Sequence, residues 1–463
     1  MALPQIDLEV DLGHQAGLIR ALNGVNLGPL SFNGWLDLSD EFKKLGFPQT
    51  RLHDCPYAVS ETVDVHSIFP IFDADPQDPN NYRFAITDDY VRSVLDTGSE
   101  VIYRLGESIE HHTRGRYFVH PPKDFKKWAD ICVNIIRHYN EGWGKGFHHG
   151  IRYWEIWNEP WNQPDCWTGS DEDYYRLYEV TAKAIKGHDP KMLVGGPSTV
   201  GATNPRNFGE NFLKHCQKMG APLDFYSWHI YNLDPLEMVQ ESFKVKDLLA
   251  KYGFAHAESH LNEWNYLPSE GWRFNSRRKD PACIRRAFEE IASAQGSAFD
   301  AAFLILMQDC PIDVANFYYS ANNGTWGLFD QYGAPNKTYY AFHAFRSMLD
   351  TPHRVRTTPN DPLTGCALLA GVADTPKAGI LLANFRARAA HFAVTIKDWP
   401  WPGKAVCKRY LLDYDRNLTL VGQEILDEKN TILRLCMPAP AFSYLTLTPD
   451  GKDADSLGGH LAN

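Results

Sequence analysis

Ile151-Arg152-Tyr153-Trp154-Glu155-Ile156-Trp157-Asn158-Glu159-Pro160 decides how this chain is to be read. Its β-branched and aromatic residues predict a short buried strand. Pro160 has no N–H to give to a sheet ladder, so the strand has to end there. Asn158 and Glu159 are thereby expected at the carboxyl end of a strand, facing whatever lies above the sheet. Trp157 and Trp161 flank the carboxyl group. Apolar surroundings disfavour the charged form of a carboxylic acid, which suits a group that must deliver a proton near neutral pH. The ordinary alternative is a strand-end carboxylate that caps the next helix.

A second stretch, Glu258-Ser259-His260-Leu261-Asn262-Glu263-Trp264-Asn265, is again a short strand ending in a carboxylate beside an aromatic residue. Two carboxylates on separate strand ends match the needs of glycosidic-bond hydrolysis. One protonates the leaving oxygen, and the other attacks the anomeric carbon or activates water.

Outward from these two stretches the chain alternates strand and helix. Predicted strands are Leu22–Gly28, Gln49–Asp54, Val101–Leu105, Ile151–Trp157, Leu193–Pro197, Asp224–His229, Glu258–Glu263 and Phe303–Met307. Between them, Asp37–Leu45, the run from Phe125 to Tyr139, Asp171–Lys186, Ile284–Ala294 and Lys337–Leu349 have helical character. Repetition of this length predicts an α/β fold, a (β/α)8 barrel over residues 21–351, whose site lies at the carboxyl ends of the strands. After Pro352 the texture changes to short apolar runs separated by turns. This predicts an accessory β-sandwich over 352–449. Residues 1–20 contribute a strand to it through Leu8–Val10, and 450–463 read as a loose polar tail.

Among the 463 residues, Lys and Arg number 46 and Asp and Glu 57, for a formal charge of -11. No basic run or zinc-finger spacing is present, which disfavours nucleic acid and other polyanions as partners. No apolar run reaches membrane-spanning length, so no membrane association is expected. The nine cysteines are scattered without a CxxC pair, which argues against a complete disulfide framework and fits a reducing compartment. The amino terminus carries no signal peptide as it stands, so a cytoplasmic location is expected, or a secreted or periplasmic one if a leader has been removed. Asn323-Gly324-Thr325, Asn336-Lys337-Thr338 and Asn417-Leu418-Thr419 fit the N-glycosylation pattern, which is common by chance. His111-His112 and His148-His149 sit with no carboxylate at ligand spacing and read as loop residues.

The sequence Trp154-Glu155-Ile156-Trp157-Asn158-Glu159-Pro160, followed later by Leu261-Asn262-Glu263-Trp264-Asn265, resembles glycoside hydrolase family 39. The resemblance runs over most of the chain, from near Leu22 onward. It implies a retaining glycosidase with no metal and no cofactor, acting on an oligo- or polysaccharide. Glu159 matches the acid/base on strand four and Glu263 the nucleophile on strand seven. Asn158 matches an amide that binds the sugar 2-hydroxyl, a bond that strengthens in the oxocarbenium-like transition state. Arg51 matches an arginine beside the nucleophile, and His53, two residues on, a substrate-facing histidine. His229 and Tyr231 match a strand-six His-x-Tyr, the tyrosine expected on the nucleophile and the histidine lining the sugar site. Taken singly, each has an ordinary structural explanation. In barrel order, together, they point to a site. Glu107, at the exit of strand three, and Trp326, after strand eight, are further candidate substrate contacts. Trp326 and Trp167 read equally well as sugar platforms or as core. Glu155 shares a face with Glu159 and is expected deeper in the barrel, pairing with Arg51 or Arg104.

The chain departs from the family's β-xylosidases at Asp54-Cys55, where those carry a glycine, and at Arg104-Leu105-Gly106-Glu107-Ser108. Both departures bear on substrate identity. The expected rim carries Asp54, Glu107, Glu110 and Asp165, with Arg51 committed to the nucleophile and Arg104 to Glu155. An anionic sugar there would meet like charge at a cost of several kcal/mol at about 4 Å. The expectation is therefore a neutral glycoside, cleaved by a β-xylosidase-like, exo-acting enzyme. An endo-acting hydrolase or an enzyme releasing galactose or arabinose units are the alternatives within the family. A non-catalytic carbohydrate-binding barrel is the alternative of another class.

Overall fold

The computed structural model describes residues 4–112, 114–275, 280–320, 326–427 and 431–450. The sequon at Asn323 and the tail from 451 onward lie outside them.

Eight parallel strands close into a barrel. In chain order they are Gly24–Asn26, Gln49–Leu52, Glu100–Leu105, Tyr153–Ile156, Leu193–Val200, Phe225–Asn232, Glu258–Tyr266 and Val314–Phe317. Helices wrap the outside, and their starts are written in the sequence. Asp124 accepts from the N–H groups of Lys126 and Lys127 at the head of Phe125–Glu141. Ser170 and Asp173 form a reciprocal capping box at the head of Asp171–His188. Asp234 caps Pro235–Lys251, with proline at the first helical position, where its missing N–H costs nothing. Among the described residues, no helix is long and apolar enough to cross a membrane. All nine thiols are free.

The eighth strand is not where the apolar run Phe303–Met307 suggested. Met307 instead opens the turn Met307–Asp309, and Phe303–Leu306 ends the helix Ala294–Leu306, in which every residue but Gln295 is buried. One side meets the barrel, where the Phe303 and Trp264 rings lie 5.1 Å apart. The other side shares a core with Leu369 and Leu381 of the second domain. A helix enclosed on all sides shows no amphipathic period, so its sequence looks like a buried strand. The strand itself is the shorter Val314–Phe317, which pairs with Gly24–Asn26 and His260–Trp264 to close the barrel.

Nine strands form the second domain's sheet, in the spatial order Thr419–Leu426, Ala405–Leu412, Ala441–Pro449, Ala378–Asn384, Cys366–Val372, His353–Thr357, Gln5–Leu18, His391–Lys397, Ile432–Cys436. Gln5–Leu18, from the amino terminus, runs parallel to His391–Lys397 with Gln5 opposite His391. The sheet curls over one apolar core that gathers Val10, Val394 and Leu433 from one end with Ile380, Leu445 and Cys407 from the other, as in a sandwich. Alternate residues of its middle strands, Leu369, Leu381 and Tyr444, point the opposite way into the barrel's helices. Those strands are buried on both faces and read as unbroken apolar runs for that reason.

Candidate active site

At the carboxyl end of the barrel, the first layer to be explained is a buried cation. Arg51, on the second strand, is fully buried. Its Nε donates to Glu155 Oε2 at 2.6 Å, one terminal nitrogen to Glu263 Oε1 at 2.7 Å and Asn26 Oδ1 at 3.1 Å, and the other to Asn158 Oδ1 at 2.8 Å and Ser198 Oγ at 3.3 Å. A guanidinium has five N–H donors, so this arrangement uses the whole fork. Burial would lower the Arg51 pKa, but Glu155 and Glu263 outweigh it and raise it above the ordinary range. Burial would likewise raise Glu155, but Arg51 and the Ser198 hydroxyl bring it down to about 2. Glu155 is therefore an ionised strut between strands, held also by Asn262. Arg104 does not take part: it pairs with Asp64, which also accepts from the Ser108 backbone at 2.7 Å, so the expected Arg104–Glu155 pair is absent.

Two local distortions aim the glutamates. The fourth strand ends at Ile156, because Trp157 turns to φ +71 and Glu159 to φ +43. Non-glycine residues in the left-handed region are uncommon and concentrate at functional sites. Trp157 N–H bonds to the Leu105 carbonyl at 2.7 Å, and its indole is buried in T-shaped contact with Trp167. Trp167 is thus core and not a sugar platform. On the seventh strand, the pairing with the sixth slips between Leu261, opposite Trp228, and Glu263, opposite His229. This bulge lets the consecutive side chains of Asn262 and Glu263 both enter the barrel mouth, which a regular strand forbids. Glu263 therefore lies within its strand, which continues to Tyr266.

His229 and Tyr231 project from one face of the sixth strand, two residues apart. His229 Nδ1 lies 2.8 Å from Glu159 Oε1 and 3.4 Å from Glu263 Oε2. His229 Nδ1 therefore stands between the two carboxyl groups. Tyr231 donates to Glu263 Oε2 at 2.7 Å, and Asn162 to Glu159 Oε2 at 3.2 Å. His53 Nε2 stands 3.8 Å from Glu263 Oε1. One oxygen of Glu159, one of Glu263 and a ring nitrogen of His229 all lie within 4.8 Å of one another.

Above them is a cleft of about 710 Å³, within the usual range for small-molecule sites. Asn158, His53, His229, Tyr231, Trp326 and both glutamates line it. Glu107 does not: it faces His66 Nδ1 at 2.5 Å, and burial pushes its carboxyl up to about 7 against the pull of His66. Glu110 is spent on the backbone N–H groups of Tyr117 and Phe118, and Asp165 on Arg116. The negative rim is instead Asp54, Glu237 and Glu241, with no Lys or Arg among the described lining residues. A second group with ligand geometry, Asp64, His66 and Glu107, is already engaged with Arg104, Ser108 and itself.

Tyr318, Trp272, Asn162 and His111 also line the cleft, beyond the residues expected there from the sequence. Tyr318 was hidden by the misplaced eighth strand; the aromatic and β-branched run Val314–Tyr319 carries the signal. Trp272 sits in the short turn Gly271–Asn275, edge-on to Tyr231 at 5.2 Å between centroids, and nothing local in the sequence marks it.

A barrel with paired carboxylates at the carboxyl ends of its fourth and seventh strands is the architecture of a large class of glycoside hydrolases. The model of glycosyl hydrolases family 39 matches residues 43–351, and the chain belongs to that family. A β-xylosidase of Geobacillus stearothermophilus is 30% identical over 336 residues, 66% of this chain and 63% of its own. A β-xylosidase of Caldicellulosiruptor saccharolyticus is 26% identical over 311 residues, 62% of this chain and 61% of its own. The match thus spans less than two thirds of either relative's length. Among solved structures, a glucosidase from Croceicoccus marinus superposes with a TM-score of 0.80 at 24% identity, covering 96% of this chain and 99% of that one.

Proposed function

We propose that this protein is a retaining, exo-acting glycosidase that removes a neutral, β-linked sugar, with Glu159 as acid/base and Glu263 as nucleophile. The observation that supports the mechanism is that an oxygen of Glu159 and an oxygen of Glu263 lie within 4.8 Å of each other, with His229 Nδ1 between the two side chains. Retaining enzymes hold their carboxyl groups about 5–5.5 Å apart, whereas inverting ones need about 6.5–9.5 Å to admit a water.

The surroundings divide the roles. Glu263 receives the Arg51 and Tyr231 donors, a set suited to a carboxylate that attacks. Among the described residues Glu159 meets only Asn162 and the shared His229, and it lines the cleft, where a leaving oxygen can meet it. In the first step Glu263 forms a bond to C1 as the C1–O bond breaks, and the Glu159 proton passes to the departing oxygen. In the second, Glu159 takes a proton from water, water oxygen bonds to C1, and Glu263 leaves as carboxylate. The Asn158 amide, whose oxygen is fixed by Arg51, is oriented to bind the 2-hydroxyl with its N–H.

The charges of the described lining support a neutral sugar. Asp54 and Glu237 face the cleft, as does Glu241, whose charge is paired with Lys244, and no described Lys or Arg lines it. A uronic acid would find repulsion where a hydroxyl finds acceptors. Kinship with β-xylosidases makes a β-xyloside the first substrate, and the glucosidase likeness makes the β-glucoside the matched comparison. The test is a panel of aryl β-xyloside, β-glucoside, β-galactoside, α-arabinoside, β-glucuronide and α-iduronide, with a xylo-oligosaccharide ladder for single-unit release. The expected result is turnover of a neutral member and stepwise shortening of its oligomer. Faster turnover of a uronide than of every neutral glycoside contradicts the charge argument, and mid-chain cleavage contradicts exo action.

A further inference from the structure

Asp54 follows the second strand at φ +52, in the left-handed region, and lines the cleft. Its Oδ2 faces His53 Nε2 at 3.2 Å and accepts from the Tyr318 hydroxyl at 3.0 Å. Among the described residues its Oδ1 meets only the Ile109 backbone N–H, at 3.4 Å. A carboxylate offers about four acceptor sites, so capacity on Oδ1 is left for a ligand. The other rim group with a defined setting, Glu241, is spent on the N–H of Ala202 at 2.6 Å and on Lys244 at 3.1 Å. Burial acts to raise the Asp54 carboxyl, but His53, Arg104 and Tyr318 outweigh it and hold it well below the usual carboxylate range. Asp54 is one imidazole away from the nucleophile position, since His53 Nε2 also lies 3.8 Å from Glu263 Oε1. A sugar ring with C1 over Glu263 and its 2-hydroxyl at Asn158 extends its remaining hydroxyls toward another wall, and the His53–Asp54–Tyr318 wall is built to accept hydrogen bonds.

We infer that Asp54 is the residue that recognises the glycone, accepting a hydrogen bond from a ring hydroxyl beyond position 2 of the sugar seated on Glu263. The inference rests on the glycosidase reading and adds the side chain that decides which glycone is held. Charge-assisted hydrogen bonds of this kind are the strong ones, and their loss is read in binding of both substrate and transition state.

The test uses Asp54→Asn and Asp54→Gly. Both residues tolerate the left-handed backbone at this position, so the turn is kept. Wild type and variants are assayed on the best aryl glycoside and on its 3-deoxy and 4-deoxy analogues, with thermal unfolding as a folding check. The expected result is a loss of about 10- to 100-fold in kcat/KM on the parent glycoside. On the one deoxy analogue that lacks the contacted hydroxyl, wild type and variants should be equal. A merely structural role lowers all three substrates alike, and that outcome overturns the inference, as does wild-type activity in both variants. A wild type inert on every aryl glycoside overturns the glycosidase reading itself and this inference with it. An active wild type with unaffected variants overturns this inference alone.

Discussion

Asn262 and Glu263 are neighbours in the chain, yet both side chains turn into the barrel mouth, Asn262 to Glu155 and Glu263 to Arg51. The bulge that permits this brings Glu263 to the guanidinium that also holds Glu155, so the floor of the site is one electrostatic unit.

Arg51 is the centre of that unit. Arg51→Met leaves Glu155 and Glu263 buried without their cation. Breaking a buried pair in this way costs about 3–5 kcal/mol. Urea unfolding should show a loss of this size, and kcat/KM on an aryl glycoside should fall at least a hundredfold. A variant of near wild-type stability refutes the central role given to Arg51.

Glu155 titrates the same unit. Its folded carboxyl is driven down to about 2, with Arg51 and Ser198 overcoming burial. A depressed carboxylate stabilises the fold fully above its unfolded value of about 4.3, and the contribution is lost as pH falls toward 2. It amounts to about 3 kcal/mol. Unfolding midpoints between pH 7 and pH 3 should therefore drop less steeply for Glu155→Gln than for wild type. Equal slopes count against the assignment.

Asp300 carries the opposite sign. It is buried in the helix Ala294–Leu306 with neither carboxylate oxygen partnered among the described residues, and burial raises it well above the usual range. Folded Asp300 holds a proton that the unfolded chain loses above about pH 4, so stability declines as pH rises from there toward the folded value. Asp300→Asn should remove that decline and raise the unfolding free energy, and with it the midpoint, at pH 7, by about 1–3 kcal/mol. A lower midpoint at pH 7 contradicts this account.

The two glutamates separate by leaving group. Glu159→Ala should slow glycosides with poor leaving groups by about 10²–10⁴ and activated aryl glycosides far less. Azide, which needs no general base, should restore its turnover. Glu263→Ala should lose both substrates, with no rescue that retains configuration. Equal losses in Glu159→Ala across leaving groups would show that it is not the acid.

Much of this was legible in the chain because the barrel's strands and its polar motifs are local. Asn158-Glu159, His229-x-Tyr231 and Arg51-x-His53 each lie within three residues; all but Arg51 line one cleft, and Arg51 lies buried, bonded to Glu263 and Asn158. Pairings between distant residues were not legible. Arg104 was assigned to Glu155 and instead holds Asp64, and Glu107 turned out to face His66 and not the cleft. Charge alone does not say which of several carboxylates a buried arginine meets; backbone geometry does. The eighth strand was missed for a related reason. The helix Ala294–Leu306 is enclosed by both domains, and enclosure erases the period that separates helix from strand. Neither the left-handed turn at Glu159 nor the bulge at Asn262 has a glycine to announce it.

The approach of Glu159 and Glu263 is tested most directly by the configuration of the first product. Hydrolysis of an aryl β-glycoside followed by proton NMR from the first turnovers should show the β-anomer of the free sugar, with the α-anomer growing in later by mutarotation. The α-anomer appearing first would mean a single displacement by water, and would contradict the double displacement on Glu263.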